Sequence, residues 1–201
     1  MKKEKNKKIL IALASIIILG LVICALCVLV LPNVSSEEAE GIDDDEIKIL
    51  NDNYPSDIIV YGEKIEFSAE LNFRTITEIS EDNLISDSKY KYTFFVINDR
   101  EGKLNISDNE FELCKKMCDE YNMNFFYIGE QYLTHLKDFG FYNNLYMEDI
   151  LGIGYVISPY GHTTIQGFWS STEEEHYSNN NELLGQVLIY AFVDNVIKMV
   201  N

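Results

Sequence analysis

The sequence has 201 residues, with 16 basic residues against 33 acidic ones and a net charge of −17. Residues 9–201 hold 11 of the basic and 32 of the acidic residues, a net charge of −21. This excess argues against nucleic acid as a partner, because affinity for it depends on cations that neutralise phosphates. Only four cysteines are present, which excludes a disulfide-dense secreted scaffold.

The first 31 residues have the pattern of a membrane anchor. Five lysines lie within residues 1–8, and the 23 residues from Ile9 to Leu31 are uncharged and almost wholly apolar. A helix of that length would extend about 34 Å, enough to cross a hydrocarbon core of about 30 Å. A cleaved signal peptide is the alternative, although its apolar region is usually only about 7–15 residues long.

The charges on either side of this run predict its orientation. Seven acidic residues follow it between positions 37 and 46, and basic flanks stay on the cytoplasmic side. The sequence therefore predicts a single-pass protein of the cell membrane. Its expected parts are a cytoplasmic basic tail (1–8), a transmembrane helix (9–31), an acidic linker (32–53) and an extracytoplasmic domain (54–201). Within the helix, Gly20 and Cys24 form a small-xxx-small pair that could bring two helices together as a homodimer.

The linker and the first strands come next. Ser35–Asn53 is acidic and poor in large apolar residues, which predicts a solvated, extended tether. Ile58–Tyr61 is a short apolar run closed by Gly62, as expected of a strand. Apolar and polar residues then alternate, so we expect a second strand over Ile65–Ile76, although part of this pattern also fits a helix.

The middle of the chain alternates strands and helices. Tyr90–Ile97 has the composition of a strand covered on both faces. Ser107 and Glu110 have the spacing of a capping box, which predicts that a helix begins there. Met123–Ile128 is another apolar strand, and a helix is expected over Glu130–Phe139. This order indicates parallel strands joined by right-handed crossovers.

The last part of the chain predicts a hairpin and a closing helix. Ile153–Ser158 and Thr163–Trp169 are expected to be strands on either side of a turn at Pro159–His162. Ser170–Asn181 is a polar loop. The helix Glu182–Val200 is apolar around much of its circumference but too interrupted by polar residues to span a bilayer. The chain thus predicts one α/β sandwich domain with a mixed, largely parallel sheet.

Polar side chains follow the predicted strands. Asn98 and Asp99 follow one strand, Glu130 follows the next, and Ser158 and His162 follow the third, which brings them to the same end of the sheet if that strand is also parallel. Ligands in α/β folds collect beyond the carboxyl ends of parallel strands, so these side chains could bind a divalent cation or perform acid–base chemistry. The candidates for a metal site are Asp99, Glu130 and His162. The same residues also suit ordinary turns and a helix start, so no catalytic residue and no cofactor is assigned.

The two cysteines outside the apolar run lie within a predicted helix. Cys114 and Cys118 share a face with Phe111 and Tyr121, and small buried cysteines are common in protein cores. This placement favours core thiols over a redox pair, which needs a stabilised thiolate.

The order of elements resembles two known layouts. Strand, helix, strand, helix, hairpin and helix resembles the thioredoxin-like arrangement, which would imply a thiol-redox accessory role. Cys114 and Cys118 have three residues between them and do not lie at a helix N-terminus, so the redox motif is absent. The order also resembles the von Willebrand A-type arrangement with its D-x-S-x-S cation site, but residues 99–103 contain no serine.

We therefore expect a membrane-anchored, extracytoplasmic binding or interaction module of a bacterial envelope. Its expected partners are the lipid bilayer, through residues 9–31, and another protein. One alternative is a cation-dependent enzyme or cation-binding domain that uses Asp99, Glu130 and His162. A second alternative is a thioredoxin-like accessory protein without a standard redox motif.

Overall fold

The computed structural model describes residues 44–143, 150–157, 163–169 and 180–200. These residues belong to one compact unit that spans Ile42–Asn201. A six-stranded sheet forms its centre, and helices pack on both faces of the sheet.

The sheet is mixed and mostly parallel. Its strand order is β2-β1-β3-β4-β5-β6. The strands are β1 Ser56–Gly62, β2 Phe73–Ile76, β3 Tyr92–Asn98, β4 Asn124–Ile128, β5 Ile150–Ile157 and β6 Thr163–Trp169. Strands β1 to β4 are parallel, whereas β5 is antiparallel to β4 and β6 is antiparallel to β5. The predicted α/β class with a mixed sheet is confirmed.

The helices divide between the two faces of the sheet. They are α1 Asp44–Lys48, which continues into a π-helical turn at Ile49–Asn53, α2 Glu81–Leu84, α3 Asp108–Tyr121, α4 Leu133–Asp138 and α5 Asn181–Val200. Apolar residues of α2, α3 and α4 are buried on one face, called here the α3 face. Those of α1 and α5 are buried on the other, the α5 face.

Strand β3 shows why the middle of the sequence predicted the fold well. Phe95 and Ile97 point to the α3 face, while Phe94 and Val96 point to the α5 face, and all four are fully buried. Phe94 stacks on Phe192 of α5 with ring centroids 4.6 Å apart. A strand that is apolar on both sides needs cover on both sides, and the helices supply it.

The strand expected over Ile65–Ile76 is mostly absent. Only Phe73–Ile76 forms a strand, and the preceding residues lie as a loop against α5. Ile65 and Leu71 are buried there, and the Glu66 amide donates to the Asn181 carbonyl at 3.4 Å. The alternation of apolar residues therefore reflects a loop that packs on a helix.

The end of the acidic segment that was expected to be an extended tether also differs from the prediction. Residues 44–53 are helical, and Ile47 and Leu50 are buried on the α5 face. Apolar side chains three or four positions apart lie on one side of a helix, and Ile47 and Leu50 are three apart. Burial of this pair explains why residues 44–53 are helical and packed on the domain instead of extended in solvent.

Helix α3 begins where the sequence predicted. The Ser107 hydroxyl accepts from the Glu110 amide at 3.4 Å, and Glu110 Oε2 accepts from the Ser107 amide at 2.7 Å, which completes the capping box. Phe111, Cys114 and Cys118 are buried as expected. Tyr121 was expected on the same face but is 50% exposed, because it lies in the last turn before the left-handed residue Asn122.

The other predicted helices differ from the structure in detail. The helix expected from Glu130 begins at Leu133 in the structure, whereas the closing helix forms as α5 and packs on the sheet. The short helix α2 was not predicted. Among the described residues, no helix is long and apolar enough to cross a membrane. Ile9–Leu31, the turn at Pro159–His162 and most of the loop Ser170–Asn181 lie outside them.

A buried carboxylate holds the edge strand β2 in place. Asp57 of β1 has a side chain only 4% exposed and accepts three hydrogen bonds of 3.0 to 3.2 Å from the Arg74 guanidinium. The Ser86 hydroxyl donates to Asp57 at 2.8 Å and lies 2.7 Å from the Thr93 hydroxyl. The carboxylate therefore connects β2, β3 and the segment after α2 to β1.

Replacing Arg74 with alanine is expected to lower the free energy of unfolding by about 2 kcal/mol. The change leaves Asp57 buried without its cation, which costs about 3–5 kcal/mol in fully buried pairs, and the 37% exposure of Arg74 reduces that figure. Arg74→Lys should be intermediate, because a lysine ammonium keeps the charge but lacks the rigid, planar pair of donors with which a guanidinium bonds both oxygens of a carboxylate. Urea unfolding followed by circular dichroism measures the loss. Lys64→Ala, in an exposed pair with Glu66, is the control and should cost less than about 1 kcal/mol.

Candidate functional site

The strand-end acid Asp99 is directed into the protein. It is fully buried, and its carboxylate accepts from the Leu104 amide at 2.9 Å and from the Tyr127 hydroxyl at 3.1 Å. Burial raises the pKa of the Tyr127 phenol, and the adjacent Asp99 raises it further, so this hydroxyl stays protonated and donates. Both carboxylate oxygens of Asp99 are thus used to hold the loop that follows β3.

The backbone around Asp99 is packed as closely as its side chain. Gly129 follows β4 with φ +151°, and a Cβ atom there would lie 2.5 Å from the Asp99 carbonyl oxygen and 2.8 Å from the Tyr127 hydroxyl. The Tyr132 amide donates to that same hydroxyl at 3.2 Å. The ends of β3 and β4 therefore form one interlocked polar cluster.

Asn98 also contributes to the structure of this sheet end. Its Nδ2 donates to the carbonyls of Glu63 and Lys64 at 3.1 and 3.4 Å, and its Oδ1 accepts from Arg100 Nε at 3.2 Å. The Arg100 guanidinium donates in turn to the Asn181 side chain at the start of α5. Asn98 thereby connects the ends of β1 and β3 with the closing helix.

The remaining predicted site residues do not join Asp99 in the described structure. Glu130 follows β4 at the same end of the sheet, but its side chain is exposed. Because β5 is antiparallel, its carboxyl end lies at the opposite end, where the Ile157 amide bonds Asn124 at the start of β4. Ser158 and His162 lie outside the described residues. No group of three or more histidine, cysteine or acidic residues that could hold a metal ion is found within the described ranges, and the cation site stays a prediction.

The two cysteines of α3 are core residues. Cys114 and Cys118 are fully buried free thiols on the α3 face. Burial raises the pKa of both thiols, so neither is a thiolate at neutral pH. A nucleophilic or redox role needs an accessible thiolate, which this environment disfavours.

We expect neither thiol to react with a maleimide while the domain is folded. The measurement is mass spectrometry of the full chain carrying Cys24→Ser and Cys27→Ser, labelled before and after addition of urea. Two labels should appear only in urea, because unfolding exposes both sulfurs. Rapid labelling of Cys114 or Cys118 in the folded chain would restore the thiol-redox alternative.

An open pocket lies on the α3 face, beside the hairpin of β5 and β6. Its volume is about 380 Å³. It is lined by residues of the segment after α4 and of the two hairpin strands, namely Gly140, Phe141, Tyr142, Asn143, Tyr155, Thr163 and Ile165. Phe141, Tyr142 and Tyr155 are the aromatic residues of this lining and are at most 6% exposed, whereas Asn143 and Thr163 are exposed polar residues.

Lys115 and Asp119 of α3 meet the pocket at Tyr155. The Lys115 ammonium lies 2.5 and 2.7 Å from the Asp119 oxygens, donates to the Tyr155 hydroxyl at 3.2 Å, and lies 4.9 Å from the centre of the ring. The Tyr155 hydroxyl donates to Asp119 at 3.4 Å. Partial burial lowers the pKa of Lys115, but its hydrogen bonds to Asp119 and Tyr155 outweigh this effect and leave the pKa raised.

This arrangement suits binding better than bond-making chemistry. Lys115 stays protonated and paired, so it is not a nucleophile or a base. Aromatic walls with a few polar groups are typical of pockets that receive an apolar or aromatic group. The sequence spacing shows that Lys115 and Asp119 share a helix face, but Tyr155 is 40 residues from Lys115, and only the fold brings it to them.

No protein-family model matches the sequence, and no curated protein or solved structure matches it either.

Proposed function

We propose that the chain is a single-pass membrane protein whose domain binds another protein outside the cytoplasm of a bacterial cell. Residues 9–31 would hold it in the lipid bilayer, with residues 1–8 in the cytoplasm. Gly20 and Cys24 are the contact points if two such helices pair.

The single observation that carries the proposal is the arrangement of charge around Ile9–Leu31. Twenty-three uncharged residues separate a segment with five lysines from one with seven acidic residues within ten positions. An apolar run of this length matches the thickness of a bilayer, and the difference in basic residues gives its direction.

Two features of the described domain support binding over catalysis. Asn98 and Asp99, the polar residues at the end of β3, are engaged in hydrogen bonds within the fold. The pocket beside Tyr155, in contrast, is open, and aromatic residues are among those that line it. An acidic domain with an open pocket suits a partner with basic and apolar groups.

Membrane retention of the full chain tests the anchor. After expression in a bacterial host and an alkaline carbonate wash, the chain should stay in the membrane pellet at its full length. A variant with Leu19→Arg and Leu21→Arg should lose this retention, because each arginine at the centre costs about 2.5–3.5 kcal/mol on insertion scales. Leu19→Ile with Leu21→Ile is the matched control. A shortened, released wild-type chain would support the cleaved signal peptide instead.

A further inference from the structure

Strand β6 is an edge of the sheet in the described structure. It pairs with β5 over the seven residues Thr163–Trp169, and no described strand pairs with its other side. Thr163 and Thr164 are exposed, while Ile165 and Gly167 are partly buried. An edge strand presents a row of backbone groups that can pair with another chain.

The pocket lies next to this edge. Ile165 is opposite Tyr155 and Thr163 is opposite Ile157 in the β5–β6 register, so these residues share the α3 face. Thr163 and Ile165 form one wall of the pocket, and Gly140–Asn143 form another. A strand added beside β6 would lie about 4.8 Å away, and its long side chains on that face would reach the pocket.

We propose that β6 and the pocket together bind an extended segment of a basic partner protein. The segment adds as a strand to β6 and places one apolar or aromatic side chain in the pocket that Phe141, Tyr142 and Tyr155 help to line. Recognition of this kind obtains affinity from main-chain hydrogen bonds and specificity from a side-chain pocket. The inference rests on the proposed binding function and names the chemistry of its partner.

Charge complementarity indicates why the partner is basic. Asp119 lies at Tyr155, and near Tyr142, whose pKa is raised by burial, the Asp138 carboxylate raises that pKa further. Lys115 is the cation in contact with this group of residues, and Asp119 already pairs with it. The net charge of −21 over residues 9–201 adds attraction at longer range.

The test uses the full chain in lipid nanodiscs and a random-sequence peptide library displayed on phage. Enriched peptides should carry an apolar or aromatic residue flanked by lysine or arginine. Their affinity, measured by fluorescence anisotropy of the synthetic peptides, should fall as salt is added, because the attraction between exposed charges is screened.

Two pairs of variants locate the binding site. Thr163→Phe fills the pocket and should weaken binding about tenfold or more, equal to about 1.4 kcal/mol. Thr164→Phe is the matched control, because the next residue is equally exposed but faces the other side of the sheet. Asp119→Asn should weaken binding of the lysine-containing peptides, whereas Glu112→Gln, at an exposed position on the same helix, should not.

Hydrogen exchange of the β6 amides distinguishes a bound peptide at this edge from the other possible occupants, which are another part of the chain and a second copy of it. In the free protein the outward-facing amides of Thr163–Trp169 should exchange quickly, and the peptide should protect them. Protection that is already complete in the free protein would show that the chain itself covers the edge. Protection that rises with protein concentration would show a second copy there. Either of these two results would overturn the inference. So would a library without enriched peptides, and so would equal peptide binding by the Thr163→Phe and Thr164→Phe variants. None of these results would alter the outcome of the membrane-retention test.

Discussion

Replacing Gly185 with alanine is expected to destabilise the domain by about 2–3 kcal/mol, although alanine is the better helix former. Gly185 lies in α5, where the backbone of the loop after β1 crosses it. A Cβ atom would overlap the Glu66 carbonyl oxygen and lie 2.9 Å from its carbonyl carbon. An overlap with fixed backbone should cost about 3–4 kcal/mol, at and above the upper end of the range of about 1–3 kcal/mol that is typical of overpacking. The gain of about 1 kcal/mol in helix propensity leaves a net loss of about 2–3 kcal/mol.

Urea unfolding of the full chain, followed by circular dichroism, measures the effect of Gly185→Ala. Ala191→Gly on the same helix is the matched control and should cost about 1 kcal/mol from propensity, plus a smaller loss from the packing of its partly buried methyl group. If Gly185→Ala were neutral or stabilising, the loop of Ile65–Leu71 would not pack on α5 as described.

The second large effect is expected from Asp99→Ala. The variant removes the acceptor for the Leu104 amide and the Tyr127 hydroxyl. Hydrogen bonds to a charged group are worth about 1.5–3 kcal/mol each, so the loss should be about 3 kcal/mol or more. For a domain of this size that corresponds to a decrease in Tm of about 6–12 °C. Asp99→Asn keeps the shape and one acceptor, and should lose less.

Measuring the Tm again with millimolar calcium, magnesium, manganese or zinc distinguishes a structural role of Asp99 from a role in a cation site. Glu130→Ala is the control, since its exposed side chain should contribute less than about 0.5 kcal/mol. If Asp99 only holds the loop, its variant is destabilised equally with and without metal. The cation site would be established if one metal raised the Tm of the wild-type chain but did not raise the Tm of either Asp99→Ala or Glu130→Ala. Saturation at about 100 times the dissociation constant adds about 2.7 kcal/mol.

The sequence predicted best those elements whose pattern depends on local chemistry or on burial from both sides. Strand β3 is apolar on both faces and forms as expected, and the capping box of Ser107 and Glu110 starts α3 where predicted. Periodicity could not separate a strand from a loop at Ile65–Leu71, because packing on one helix also buries alternate residues. It also could not give the direction of β5, since an apolar run has the same composition in either orientation.

The candidate site was harder to predict than the fold. Sequence order placed Asp99 at the end of a strand, but not the direction of its side chain, which depends on the Leu104 amide and the Tyr127 hydroxyl from elsewhere in the chain. The contact of Lys115 with Tyr155 joins helix α3 to a hairpin strand, and neither residue belongs to a recognisable motif. Long-range contacts of this kind follow from the topology of the sheet and leave no local pattern.

The orientation of the domain across the membrane is the most direct test of the proposed function. The measurement is labelling of two variants that each add one cysteine, Ser88→Cys and Lys5→Cys, to the chain carrying Cys24→Ser and Cys27→Ser, with a membrane-impermeant maleimide in bacterial spheroplasts. Ser88 is exposed, and the parent chain without an added cysteine gives the background. We predict that the cysteine at position 88 is labelled in intact spheroplasts and the one at position 5 only after the membrane is permeabilised. Labelling of position 88 only after permeabilisation would place the domain in the cytoplasm and contradict the proposal.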